Sequence, residues 1–329
     1  MGKRQKYASR YVRIPIPIEK NLNDRLQIFW KSIFGESPDL EPAVFLGKET
    51  KHNTSILYLI EEDKKPISTT VVTSCKILPE LGGFGEVATE PSARGKGLAT
   101  RLCNQSLEDF KDNGGEALFL GTVNPDAAKI YHRLGWRKLS STIVWTNVTD
   151  KRPPEQYLLD YFREPTKTVV EEGNPGVRIP MIPLIITPHD WQVLDSNTGI
   201  YSSRYSIIRS CMGLYPKYQA TRSGGHGNWF SARDTQKRVV GLSSAIIDKS
   251  GVCKVDGFSH HAFGYAWEQL LLSAIGWAKT REIEQIVCNS PVVDEERIRK
   301  LSSIGFKKTG IMSVLNMDGQ ELITERMEL

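Results

Sequence analysis

The sequence predicts an α/β (α+β) chain built as two tandem domains, each a mixed, mostly antiparallel sheet flanked by helices. Three observations point there. Strand-like and helix-like runs follow one another as β, α, β-β-β, α, β, α, β over residues 11–148. A loop of small residues carrying two glycines joins an apolar strand to an amphipathic helix at 89–102. A worn version of the same texture returns after residue 176. A chain of 329 residues is also long for one core, and two domains are the ordinary expectation.

Taken in order, Tyr11 to Ile18 alternates and reads as a strand. Asn21 to Phe34 reads as a helix with Leu22, Leu26, Phe29 and Trp30 on one face, stopped by Gly35. Thr54 to Ile60 and Ile67 to Leu78 read as a hairpin around the polar turn Glu61 to Pro66. Pro79 to Gly83 is expected to be a loop, and Phe84 to Ala88 the strand that feeds the glycine turn. The helix that leaves the turn carries Leu98, Leu102, Leu107 and Phe110 and ends at Gly114-Gly115. Ala117 to Val123 is a strand, Asp126 to Leu134 a short helix, and Lys138 to Val148 a final strand.

A strand, a glycine turn and a helix N-terminus together make an anion site, because backbone N–H groups point outward and the helix dipole favours negative charge. In Thr89-Glu90-Pro91-Ser92-Ala93-Arg94-Gly95-Lys96-Gly97-Leu98-Ala99, the two glycines let phosphate oxygens approach the main chain, and Arg94 and Lys96 add positive charge. Downstream stands Asn124-Pro125-Asp126-Ala127-Ala128-Lys129-Ile130-Tyr131-His132-Arg133-Leu134-Gly135-Trp136. With both stretches in view, the chain resembles the GCN5-related N-acetyltransferase superfamily. That family pairs Arg/Gln-x-x-Gly-x-Gly/Ala with a later Asn-x-x-Ala-x-x-x-Tyr-x-x-x-Gly-aromatic. Arg94, Gly97 and Ala99 occupy the fixed places of the first motif, and Asn124, Ala127, Tyr131, Gly135 and Trp136 those of the second.

The resemblance implies acetyl-CoA, or another acyl-CoA, as donor. The acceptor expected is a primary amine of a small molecule (a metabolite, an amino-acid derivative or an amine-bearing antibiotic), and no metal is expected. The pyrophosphate would rest on the N–H groups of Arg94, Gly95, Lys96, Gly97, Leu98 and Ala99. The pantetheine arm would lie beside Val87 to Thr89 like an added strand, with the Val87 N–H serving the thioester oxygen. Asn124 would hold the pantetheine or the splay between two strands, a role compatible with capping the next helix. Tyr131 would be the general acid, although a helix tyrosine can equally be a half-buried core aromatic. The general base is less defined. Glu86 is the nearest carboxylate, but it stands one residue out of phase with the positions the resemblance implies, Gly83 and Gly85. A β-bulge would bring it back, and the glycines at 82, 83 and 85 suit one. Asp256, His260, His261 or ordered water are the alternatives. A CoA-binding scaffold without activity and an acyltransferase for protein or peptide amines are the competing functions.

Composition excludes several classes. The net charge of +5 is a mild excess of scattered basic residues, no signature of a nucleic-acid binder. Cys75, Cys103, Cys211, Cys253 and Cys288 show no metal-ligand spacing and read as small reduced core residues. No apolar run reaches membrane-spanning length, and no signal peptide stands at the start. Met1-Gly2-Lys3-Arg4-Gln5-Lys6 lacks the Ser/Thr expected for myristoylation. A cytoplasmic location follows as the expectation; oligomeric state is not readable.

The division expected is an N-terminal catalytic domain at 1–149, a linker at 150–175 with one helical turn, and a degenerate second copy at 176–329. Val12-Arg13-Ile14-Pro15 recurs as Val177-Arg178-Ile179-Pro180, Gly97 matches Gly264 before another amphipathic helix (Tyr265 to Ala278), and Gly135-Trp136 matches Gly305-Phe306. On that alignment His261, Ala262 and Phe263 replace Arg94, Gly95 and Lys96, while Leu301 and Asp294 replace Tyr131 and Asn124. The second copy would therefore bind no cofactor; by resemblance it would pack on the first and wall the acceptor site. Ile200 to Leu214 reads as an apolar helix bearing Tyr201 and Tyr205, with Tyr215 beside them. Gly224 to Trp229 reads as a flexible turn or a lid.

Overall fold

The computed structural model describes residues 11–35 and 40–329; the N-terminal stretch read for lipidation lies outside them. The chain divides into two units, Met1–Arg137 with Trp145–Pro153, and Lys138–Val144 with Pro154–Leu329.

The first unit runs β1 (Val12–Pro15), α1 (Lys20–Phe34), α2 (Pro42–Phe45), β2 (Asn53–Glu62), β3 (Lys65–Cys75), β4 (Leu78–Thr89), a 3-10 turn (Pro91–Ala93), α3 (Leu98–Asp112), β5 (Ala117–Gly121), α4 (Pro125–Arg133), β6 (Arg137–Lys138) and β7 (Val144–Val148). The sheet order is β1-β2-β3-β4-β5-β7-β6. Its early strands pair antiparallel, and β4 with β5 is the parallel step. Helix α1 buries Leu26, Phe29 and Trp30, and Gly35 closes it at φ 77° with its N–H on the Lys31 carbonyl, 3.0 Å away. Asp63 and Lys64 turn the β2–β3 hairpin, both at positive φ (50° and 62°). The core under α3 and α4 contains Phe84, Leu102, Leu118, Tyr131 and Trp136.

Two expectations change here. Pro79 to Gly83 is part of β4, not a loop, because its glycines serve packing. A Cβ on Gly82 would meet Leu118 at 2.5 Å and Phe110 at 2.9 Å. The strand expected over Lys138 to Val148 is broken at 139–143, where Ser141 takes φ 58°.

The second unit runs α5 (Pro154–Tyr161), β8 (Thr168–Glu172), a 3-10 turn (Pro175–Val177), α6 (Met181–Ile186), β9 (Val193–Asp195), β10 (Ile200–Tyr201), α7 (Leu214–Ala220), a 3-10 turn (Ser223–Gly225), β11 (Gly227–Asp234), β12 (Val239–Ile247), β13 (Cys253–Ser259), a 3-10 turn (His261–Phe263), α8 (Gly264–Lys279), β14 (Ile286–Pro291), α9 (Glu295–Ser303), β15 (Lys307–Met317) and β16 (Gln320–Glu328). Apart from the β9–β10 hairpin, its sheet order is β15-β16-β14-β13-β12-β11-β8. Read from the other edge, this is the order of the first sheet, with β13 and β14 as the parallel step. Two sheets of one topology stand in tandem.

Sequence matching placed some of the repeat wrongly. Its first strand is β8, which pairs β11 from Phe230↔Glu172 to Asp234↔Thr168. Val177 to Pro180 instead form a buried turn before α6, so the likeness to Val12–Pro15 is one of letters. The stretch expected as a linker accordingly holds α5 and β8. Ile200 to Leu214 is a short strand and a loop, not a helix, and only Tyr215 of the three tyrosines is buried. Gly224 and Gly225 lie in a 3-10 turn, and Trp229 is fully buried in β11.

Candidate functional site

In the first unit the site is built where β4 ends. Gly95 and Gly97 take φ 74° and 79°, the left-handed region that glycine enters at no steric cost. A Cβ at either position would meet nothing within 4 Å, so the main chain is open to a ligand. The first main-chain bond of α3 runs from Arg101 N–H to the Gly97 carbonyl, 3.0 Å. The N–H groups of Leu98, Ala99 and Thr100 therefore precede the helical ladder and face the exposed end of the dipole. Residues 94–97 are exposed, and Arg94 Nε donates to the Thr89 carbonyl at 3.2 Å, which ties the loop back to the strand.

Beside this cradle the sheet opens. Among the described residues, strands β4 and β5 pair at Leu81↔Ala117, Gly82↔Leu118 and Gly83↔Phe119. Beyond Gly83, β4 runs on to Thr89 outside the β4–β5 register, which leaves room beside it for an extended ligand arm. The β-bulge is present. Register slips between Thr69↔Ala88 and Val71↔Gly85, and Glu86 takes φ 51°. The bulge turns the Glu86 side chain into a buried place, 7% exposed, where its carboxylate accepts the Leu40 N–H at 3.3 Å. Val87 packs instead against the cluster that holds Tyr131.

Tyr131 is 5% exposed on α4, edge-on to Phe84 at 6.4 Å and tilted against Trp136 at 5.9 Å. Burial, with a smaller contribution from Cys103, pushes its phenol far above the usual range, so it stays protonated at any working pH. Asn124 caps α4: its side chain accepts from the Asp126 N–H at 2.9 Å and the Ala127 N–H at 3.4 Å. That leaves its amide NH2 for a ligand.

The second unit lacks this apparatus, for a reason the sequence alignment missed. His261–Phe263 is a 3-10 turn in the place of Pro91–Ala93, and α8 starts immediately after it. The four residues of the 94–97 loop have no counterpart. Gly264 sits at a right-handed φ of −55°, so it matches Leu98 in the fold and not Gly97. The β12–β13 register runs unbroken from Gly241↔Ser259 to Ile247↔Cys253, without a bulge. Gly135 and Gly305 do correspond, at φ 90° and 106°. Each precedes an aromatic whose N–H bonds five residues back, Trp136 to Tyr131 and Phe306 to Leu301, both at 3.1 Å. Asp256, one of the alternative bases, is committed to an ion pair with Arg297 in which both side chains are 1% exposed. His260 is buried as well. Desolvation first, then His261, His189 and Arg238, lower its pKa to about 3.

All five cysteines are buried and none is in a disulfide, and burial raises Cys103 and Cys288 to about 12 and Cys253 to about 11. Among the described residues no group of three or more His, Cys, Asp or Glu is placed to hold a metal, and no helix is long and apolar enough to cross a membrane.

The first unit thus sets a left-handed glycine turn at a helix N-terminus next to a gap between two parallel strands, a geometry suited to a phosphate-bearing ligand with an extended arm. Residues 22–136, within the first unit, match the model of the acetyltransferase (GNAT) family. Its enzyme class is therefore acetyl-CoA-dependent N-acetyltransferase. No curated protein matches the sequence. Among solved structures, the chain is similar to spermidine N-acetyltransferase from Vibrio cholerae in complex with CoA and spermine, at 16% identity over 49% of this chain and 94% of that one, TM-score 0.37. It is similar also to an N-acetyltransferase from Staphylococcus aureus Mu50, at 13% identity over 50% of this chain and 98% of that one, TM-score 0.40.

Proposed function

We propose that the first unit transfers an acetyl group from acetyl-CoA to a primary amine of a small molecule by direct attack in a ternary complex. The observation that carries this reading is the open glycine cradle beside the gap between β4 and β5. The residues fit the donor: the N–H groups from Gly95 to Ala99, beyond the Arg94 N–H that is spent on the Pro91 carbonyl, suit a diphosphate. The Val87 main chain on the side away from β3 suits the pantetheine amides. Glu86 takes the proton that the amine loses, at the bulge that removes it from strand phase. The Val87 N–H faces the oxygen on which charge develops. Tyr131, its phenol pKa raised by burial, meets the departing sulfur in the protonated form and donates a hydrogen bond to it. Asn124 NH2 steadies the arm.

The test is thiol release from acetyl-CoA across a panel of amines. Tyr131→Phe and Glu86→Gln are each expected to lower kcat by about 10²-fold, the usual contribution of a positioned acid or base, with CoA affinity retained. Full activity of Tyr131→Phe would remove the acid. Silence of the wild type across the panel, with CoA still bound, would return the protein to a binding scaffold.

A further inference from the structure

The reading above assigns the Val87 N–H to the developing oxyanion, and what aims that N–H lies one strand away. We infer that Thr69 is a positioning residue for acyl transfer, an inference that rests on that reading. Trp30 Nε1 donates to Thr69 Oγ1 at 2.9 Å, and the Thr69 hydroxyl donates to the Glu86 carbonyl at 2.6 Å. Both side chains are fully buried. An indole N–H can only donate, so the hydroxyl accepts from Trp30 and its single proton goes to the carbonyl. The chain of bonds has one direction.

The Glu86 carbonyl and the Val87 N–H belong to one peptide unit, and in a trans peptide they point opposite ways. Holding the carbonyl on Thr69 turns the Val87 N–H away from β3, towards the side from which β5 has diverged. Neighbouring bonds agree with this phase. Glu90 N–H reaches the Ile67 carbonyl at 2.9 Å and Ser68 Oγ reaches the Ala88 carbonyl at 3.1 Å, so residues 88 and 90 face β3. Alternation sends 87 and 89 the other way. A donor on the carbonyl also polarises the amide and strengthens its N–H. The second unit supplies the contrast. Leu242 pairs Phe258 where Thr69 pairs Ala88; it has no hydroxyl, and β13 has no bulge to hold.

Thr69→Val keeps the shape and removes the hydroxyl. It is expected to lower kcat about 10- to 100-fold, up to the loss seen when an oxyanion donor is removed, with KM for acetyl-CoA moving less than threefold. Thr69→Ser restores most of the rate. Independently of turnover, the carbonyl carbon of bound [1-13C]acetyl-CoA should shift towards its free value in Thr69→Val and back in Thr69→Ser. Wild-type kcat in Thr69→Val, a loss that Thr69→Ser does not restore, or an unchanged carbonyl shift would overturn the inference. A wild type inactive on every amine would fall on the proposed reaction, and the carbonyl shift would still decide whether Thr69 aims the N–H.

Discussion

The two units share a strand order and differ in what stands between their parallel strands. In the first, β4 and β5 part after Gly83, and the third residue past the cap of α4 is Ala127. In the second, β13 and β14 part after Lys254, and the third residue past the cap of α9 is Arg297. That guanidinium is wholly buried, bonded to Asp256 of β13 and the Val193 carbonyl, and it reaches Cys288 of β14 at 3.7 Å. Opposed charge in the interior repays its desolvation only when closely paired, and here Arg297 Nε is still buried with no hydrogen-bond partner among the described residues. One topology can therefore keep its gap for a ligand or fill it from within. The choice falls on one side chain, a bulge and a four-residue loop.

The largest expected effect breaks the filled gap. Arg297→Ala leaves Asp256 buried without its partner and should cost about 3–5 kcal/mol in the second unit. Urea melts read with hydrogen exchange in β13 and β14 check it, and exchange in β4 should be unmoved. Next, Gly97→Val should weaken CoA binding by about 100-fold, roughly 3 kcal/mol, since a β-branched residue at φ 79° both strains the turn and fills the cradle. Gly264→Val, at a helical φ, should leave CoA affinity alone; calorimetry of the pair tests which glycine serves the ligand.

The smallest effect is acid sensitivity. Desolvation lowers His189 to about 4 and His260 to about 3, so both stay neutral in the folded second unit. Groups with lowered pKa stabilise above the unfolded value near 6.5 and lose that contribution as pH falls. Asp195, raised to about 7 by burial and by Asp256, acts the other way between 3.8 and 7. Two histidines against one carboxyl leave a net loss of about 1.4 kcal/mol from pH 6.5 to 5. Exchange rates in β12 and β13 should rise over that interval and flatten in a His189, His260 double variant that folds.

Much of the first unit was legible in the sequence because its signals are conformational. Gly95, Gly97 and Gly135 need positive φ, and Asn124 caps a helix, so chain geometry and side-chain identity agree there. The bulge at Glu86 could only be posed as a condition, since extra residues leave no periodicity of their own. In the second unit, aligning glycines concealed a deletion: Gly264 falls near Gly97 in letters but opens a helix in space. Ile200 to Leu214 misled for a different reason. Its serines bond to loop backbone, Ser202 Oγ to the His189 carbonyl and Ser203 Oγ to the Ile186 carbonyl, which competes with helix formation. Asp256 and Arg297 pair from sites far apart in the chain, and a single sequence carries no mark of that.

The burial of Cys75, Cys103, Cys211, Cys253 and Cys288 has a practical sequel. Thiolate is the nucleophile, so buried thiols, with Cys103, Cys253 and Cys288 also held protonated, react slowly with disulfide dyes. Colour developed during turnover would then come from liberated CoA against a quiet background. The same dye added without substrate would count cysteines as the chain opens, so one reagent could follow both catalysis and unfolding.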